Sequence, residues 1–157
     1  LNHDFAYAGG KANQLRHWQD VGYLGDLPAG ELPRNVAWND RAAPLEARAR
    51  SYLDINCGHC HSPRGAARTS GMWLDADTRD PLRLGRCKLP IAAGQGTGNR
   101  AWDIVPGAPD DSILTYRMQS VDPGVMMPEL GRGLVHEEGV ELIRQWIAAM
   151  SAQDCGA

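Results

Sequence analysis

An all-α domain with an N-terminal extension is the fold class this sequence predicts, on three observations. Apolar residues recur at helical spacing at Leu45, Ala49, Tyr52 and Leu53, and again at Leu142, Ile143, Trp146, Ile147 and Met150. One Phe among 157 residues and few β-branched runs leave little material for strands. Gly (18) and Pro (10) are frequent, which predicts short helices joined by long loops.

Taken in order, residues 1–43 read as an arm or linker and 44–157 as the main domain. In the arm, Asn2, Gly9, Gly10 and Asn13 are turn formers. Residues 14–21 make two helical turns that stop at Gly22, with Leu15 and Trp18 on one face. His3 and His17 stand alone there and read as surface or packing residues rather than metal ligands. Residues 24–33, rich in Pro and Gly, read as extended chain. The chain opens at Leu1, as a mature protein or as a piece of a longer one.

Pro44, a favoured first-turn residue, opens the first strong helix, whose end runs directly into Asn56 and Cys57. Ser62-Pro63-Arg64-Gly65 then ends regular structure, and a loop continues through Gly71-Met72-Trp73-Leu74. Residues 75–109 are weakly regular. Within them Gly94-Gln95-Gly96-Thr97-Gly98 lacks the preceding strand and following helix of a nucleotide loop, so it reads as surface loop. Asp110, Asp111 and Ser112 mark a helix start, and a helix to Gln119 would turn Ile113, Leu114 and Met118 inward. Another Pro/Gly loop carries Met126 and Met127. The last helix begins at His136 or Glu137, with His136 read as its cap, and ends at Met150.

The chemistry concentrates at Cys57-Gly58-His59-Cys60-His61. Cys-x-x-Cys-His is the attachment signature of a c-type haem: Cys57 and Cys60 each add to one vinyl group, and His61 becomes an axial iron ligand. A single motif means one haem. A dithiol exchange centre also uses Cys-x-x-Cys, but at a helix N-terminus that lowers a thiol pKa, after a strand. Here the preceding segment is helical in pattern. A structural zinc site needs a second cysteine pair, whereas Cys87 and Cys155 are single and far apart in the chain.

Residues around such a haem follow from its chemistry. A carbonyl near Gly71 or Met72 is placed to accept the other ring N–H of His61. Met126-Met127-Pro128 offers a soft thioether for the iron's sixth position, which raises the reduction potential. Trp73 and Leu74 are candidates for the haem edge, or for ordinary core packing. Trp102, through its indole N–H, and Arg64, with Arg68, Arg86 and Arg100, are candidates for the propionates, or are simply packed or solvated. The formal charge of −3 weighs against nucleic acid or an anionic membrane surface as partner, and no apolar run is long enough to span a membrane.

Helix, Cys57-x-x-Cys60-His61, long loop, Met127-Pro128 and a terminal helix with Ile143 and Trp146 together resemble a class I c-type cytochrome domain over roughly residues 44–150. More narrowly, Arg48-Ala-Arg-Ser-Tyr-Leu-Asp-Ile-Asn-Cys57, Asp103-Ile-Val-Pro-Gly107 and Met126-Met-Pro-Glu-Leu-Gly131 look like haem c domains at the end of longer exported bacterial proteins. The resemblance implies a cytochrome c-like all-α fold, with long loops around one haem and the domain's first and last helices crossing. It implies His61 and a downstream Met as axial ligands. Met127 is favoured over Met126, because the family ligand commonly precedes Pro.

The function so implied is carriage of single electrons to and from a redox partner protein or an upstream domain. No small-molecule substrate is expected, and no enzymatic activity of the domain's own. The alternative is a haem with an open or displaceable sixth site, for gas sensing or peroxide chemistry. Haem attachment further implies the periplasm or cell exterior. In an oxidising compartment Cys87 and Cys155 pair or remain two separate thiols. The stretch Gly71-Met72-Trp73-Leu74 stands where many class I domains have Gly-Pro-x-Leu, a departure at the acceptor for the ligand His.

Overall fold

In a computed structural model, which describes every residue except Ala92, Arg132, Gln153, Asp154 and Ala157, the chain divides into two compact units, Leu1–Val36 and Ala37–Ala157. The first unit corrects the all-α expectation. Strands β1 (Asp4–Tyr7) and β2 (Gly10–Asn13) pair antiparallel, with Asp4 opposite Asn13 and Tyr7 opposite Gly10. With this sheet present and only 33% of the chain helical, the protein is a small α/β protein. The cause is local. Ala8 and Gly9 close a two-residue turn, and Gly10, at φ +118°, takes a backbone conformation that a side chain would resist. Both strands are largely exposed, so they need no β-branched core face.

Helix α1 (Gln14–Asp20) follows β2 directly, and Asn13 caps it. Its side-chain oxygen accepts from the backbone N–H of Leu15 (3.1 Å) and of Arg16 (3.3 Å). The ring of His17 stacks on Tyr7 at 3.7 Å between centroids. Asn2 donates to the Leu32 carbonyl (2.9 Å) and accepts from Asn13 (2.8 Å), tying the extended segment to the hairpin.

The second unit contains α2 (Leu45–Leu53), α3 (Ile113–Gln119) and α4 (Glu137–Ala148). Pro44 stands at the cap of α2, one residue before its first turn. The helix does not end at Leu53 but widens into a π-helical turn, Asp54–Gly58, which contains Cys57. Helix α3 starts at Ile113, because Pro109–Asp111 form a separate 3-10 turn and Ser112 takes an extended conformation. Between α2 and α3 the chain is mostly irregular, fixed by isolated pairings such as Arg86 with Ile104 and Trp102 with Ser112.

The core forms where α2 and α3 each pack on α4. Ala49 and Leu53 meet Ile143, Trp146 and Ile147, joined by Leu74, Ile104, Leu114 and Met118. Gly139 is required by this packing, since a Cβ there would collide with the Tyr52 hydroxyl. His136 stands at the cap position of α4, yet its side chain makes no cap bond. Its ring instead meets the Tyr52 hydroxyl at 3.0 Å and the edge of Trp38. Among the described residues no helix is long and apolar enough to cross a membrane.

Cys87 and Cys155 are joined in a disulfide, with an S–S distance of 2.06 Å, across 68 residues of sequence. It ties the end of the chain to the middle of the long loop. Cross-linking a loop of this length is worth about 4 kcal/mol in the chain-entropy account, and measured values run about 2–4 kcal/mol. Cys87→Ala/Cys155→Ala is therefore expected to lose that amount of unfolding free energy in urea, with an unchanged helix signal in the native baseline.

Candidate haem site

Helix α2 and its π-helical extension deliver the motif residues to one cavity of about 800 Å³. That volume lies within the range of about 300–1,000 Å³ usual for cofactor sites. Cys57, Cys60 and His61 line it, and so do Met127 and Pro128 from the late loop. Met72, Leu74, Ile113, Leu114, Met118 and Val140 supply apolar wall. Much of this wall is also core, so one set of burial energies both folds the unit and shapes the cavity.

The backbone after the motif is wound tightly. The His61 and Cys60 N–H groups both donate to the Cys57 carbonyl, at 2.8 and 3.0 Å. Gly65 passes so close that a Cβ would strike the Cys60 carbonyl oxygen, and Ala67 then donates to that same oxygen at 2.9 Å. Leu74 N–H donates to the His61 carbonyl at 2.7 Å, which draws the loop carrying Met72 and Leu74 onto the cavity.

The imidazole of His61 is oriented through Nδ1, which lies 3.3 Å from the Ser70 hydroxyl. That hydroxyl donates its own proton to the Ala67 carbonyl at 2.8 Å, so toward His61 it accepts. The proton therefore sits on Nδ1, and Nε2 keeps its lone pair, as a metal-binding nitrogen must. Burial pushes the His61 pKa below its ordinary value, while a hydrogen bond to the Met72 backbone pulls the other way. The hydroxyl of Ser70 is the acceptor facing Nδ1, one residue before the Gly71–Met72 carbonyls that the sequence suggests for this place.

Cys57 points to what the cysteines are not. Burial, and then the neighbouring Cys60, push its thiol up to about 12. The pair also lies at the C-terminal end of a helix, where the backbone dipole opposes a thiolate. A thiol held protonated in this way is a poor exchange nucleophile, the reverse of a dithiol redox centre. Among the described residues no three His, Cys, Asp or Glu side chains are grouped as for a metal ion.

Other residues named from the sequence fall in different places. Leu74 lines the cavity, but Trp73, Trp102 and Arg64 are not among the residues that do. Trp73 lies under the guanidinium of Arg83, 4.3 Å from its ring centre. Trp102 is held by its backbone pairing with Ser112, and Arg64 is exposed. Met127 lines the cavity and Met126 does not. Of the remaining arginines proposed for propionates, Arg100 donates to the carbonyls of Asp110 (2.7 Å) and Gly98 (3.0 Å). Arg68 is exposed, and Arg86 stands 4.0 Å from Glu46.

Arg117, Asp103 and Glu129 are charged residues in the wall to which the sequence alone gave no role in a site. Arg117 on α3 lines the cavity, anchored by its Nε–H donating to the Val125 carbonyl at 2.8 Å. Burial lowers its pKa, with Glu129 and Asp103 opposing. Asp103 also lines the cavity and is bonded to the buried Lys88 at 3.0 Å. Their signal in the sequence is faint, because one Arg on a short helix and one Asp in a loop are ordinary surface residues until the chain folds. Compared with protein-family models, with curated proteins and with solved structures, the chain finds no match.

Proposed function

We propose that the Ala37–Ala157 unit holds one covalently attached haem and carries single electrons between exported redox partners. The observation that carries this reading is the convergence of Cys57, Cys60, His61 and Met127 on one largely apolar cavity. When bound, haem c supplies an iron centre that changes by one electron, and a thioether ligand raises its potential. Cys57 and Cys60 would hold it covalently. His61 would bind through Nε2, its ring direction fixed by Ser70 and Met72. Met127 would supply a thioether sulfur to the iron, and Arg117 is the cation in the wall suited to a propionate.

The buried apolar side chains of Met72, Leu74, Leu114 and Met118 would give a bound haem a low-polarity wall, which would limit the solvent rearrangement accompanying each change of charge. The resemblance of Cys57-x-x-Cys60-His61 and Met127-Pro128 to class I c-type cytochromes supports this ligand set; the all-α architecture expected with it does not hold for this chain. The Cys87–Cys155 disulfide supports maturation in an oxidising, exported compartment.

The test is the ferric spectrum of protein matured with a bacterial haem-attachment system. Wild type and Met126→Ala are expected to be low-spin and to show the near-infrared thioether-to-iron band. Met127→Ala is expected to lose that band and to fall in reduction potential. A band that survives Met127→Ala moves the ligand elsewhere. A high-spin wild type that readily binds carbon monoxide overturns electron carriage in favour of an open sixth site.

A further inference from the structure

A second, smaller cavity lies apart from the first and shares none of its lining residues. Its volume is about 240 Å³, and three guanidinium side chains border it: Arg50 from α2, and Arg79 and Arg86 from the following loop. Thr78, Pro81 and Glu46 contribute the rest of the wall that matters here.

Three like charges around so small a space need an account, and Glu46 and Asp75 offset them only in part. Glu46 is engaged through one carboxylate oxygen with the Trp146 indole N–H, and its other oxygen is 4.0 Å from Arg86. Asp75 also faces Arg50 electrostatically. Its carboxylate, however, accepts from the Thr78 hydroxyl and from the backbone of Asp77 and Thr78. The Nη2 of Arg50 donates to the carbonyls of Asp75 (2.7 Å) and Thr78 (2.9 Å), which fixes that guanidinium at the cavity.

What is left over points to a ligand. Arg50 Nη1 and Arg86 Nε are buried donors without an acceptor, and such groups are rare because each forfeits its water without replacing it. Burial lowers the Arg50 pKa; Glu46 and Asp75 oppose that shift, and Arg79 and Arg86 add to it. An anion between the arginines would relieve their mutual repulsion. The forked N–H geometry of guanidinium matches an oxyanion in particular. The volume lies below the usual range for organic ligands, about 300–1,000 Å³, so the occupant is small.

We propose that Arg50, Arg79 and Arg86 form a binding site for a small tetrahedral oxyanion of the phosphate or sulfate class. The site does not depend on the haem reading, since it uses none of the residues of that cavity.

The experiment is calorimetric titration of the full chain with inorganic phosphate, then with sulfate, against sodium chloride at matched ionic strength. Saturable one-site binding is expected for phosphate or sulfate and not for chloride. Arg79→Gln, at an exposed position, and Arg86→Gln are each expected to weaken it about tenfold or more, the loss of a charge-assisted bond. Arg41→Gln, an exposed arginine not among those bordering the cavity, is expected to bind as wild type does. Melting curves in the same solutions guard against misfolding, because a folded Arg79→Gln chain should lose only the phosphate-dependent rise. No saturable heat, or equal phosphate effects in wild type and both variants, would overturn the proposal, since excluded salts raise stability generically.

Discussion

Asp103→Ala is expected to destabilise the protein by about 3–5 kcal/mol, the cost of leaving one member of a buried ion pair alone. Lys88 and Asp103 are 9% and 10% exposed in their side chains and 3.0 Å apart. With the carboxylate gone, the Lys88 ammonium keeps, among the described residues, the Leu89 carbonyl at 2.9 Å. Asp103 itself is held above the usual carboxylate range, first by burial and in spite of the hydrogen bond from Lys88. Removing two charges from water costs free energy that their mutual attraction repays only in part, so a buried pair of this kind adds little net stability.

It follows that Lys88→Met/Asp103→Leu should recover most of what Asp103→Ala loses, because it removes both charges from the interior. Urea unfolding of the three proteins checks this: a midpoint far below wild type for Asp103→Ala, and one close to wild type for the double variant. Because Asp103 borders the large cavity, the measurement belongs on haem-free and haem-loaded protein alike. The ordering is expected to hold in both.

What the sequence made legible was what repeats or has fixed spacing. The 45–53 helix announced itself by apolar spacing, and the Cys57–His61 motif by chemistry that needs only five consecutive residues. The hairpin was not legible as strands, because Asp4, Phe5 and Ala6 are all exposed and so carry no alternation. Gly9-Gly10 was its one signal and was read only as a turn. His136 stands at the cap position that the sequence suggests, but its ring partners Tyr52 and Trp38 come from elsewhere in the chain and were not legible. For Trp73 the sequence leaves haem edge and core packing both open, and its packing under Arg83 depends on a loop that returns ten residues later. Arg117 and Asp103 enter the cavity wall only through tertiary folding.

The second large effect concerns the two cysteines, and it tests the central claim. Protein exported together with haem-attachment machinery should carry one haem per chain that survives acid extraction. Its intact mass should exceed the chain mass by one haem, and its ferrous pyridine spectrum should be that of a haem with both vinyl groups saturated. Cys57→Ala/Cys60→Ala should carry none covalently, while keeping the Cys87–Cys155 disulfide. Each single variant should shift the pyridine spectrum toward a haem bound through one bond. The contradicting result is a matured wild-type chain of bare polypeptide mass, with Cys57 and Cys60 recovered as thiols or as a disulfide with each other.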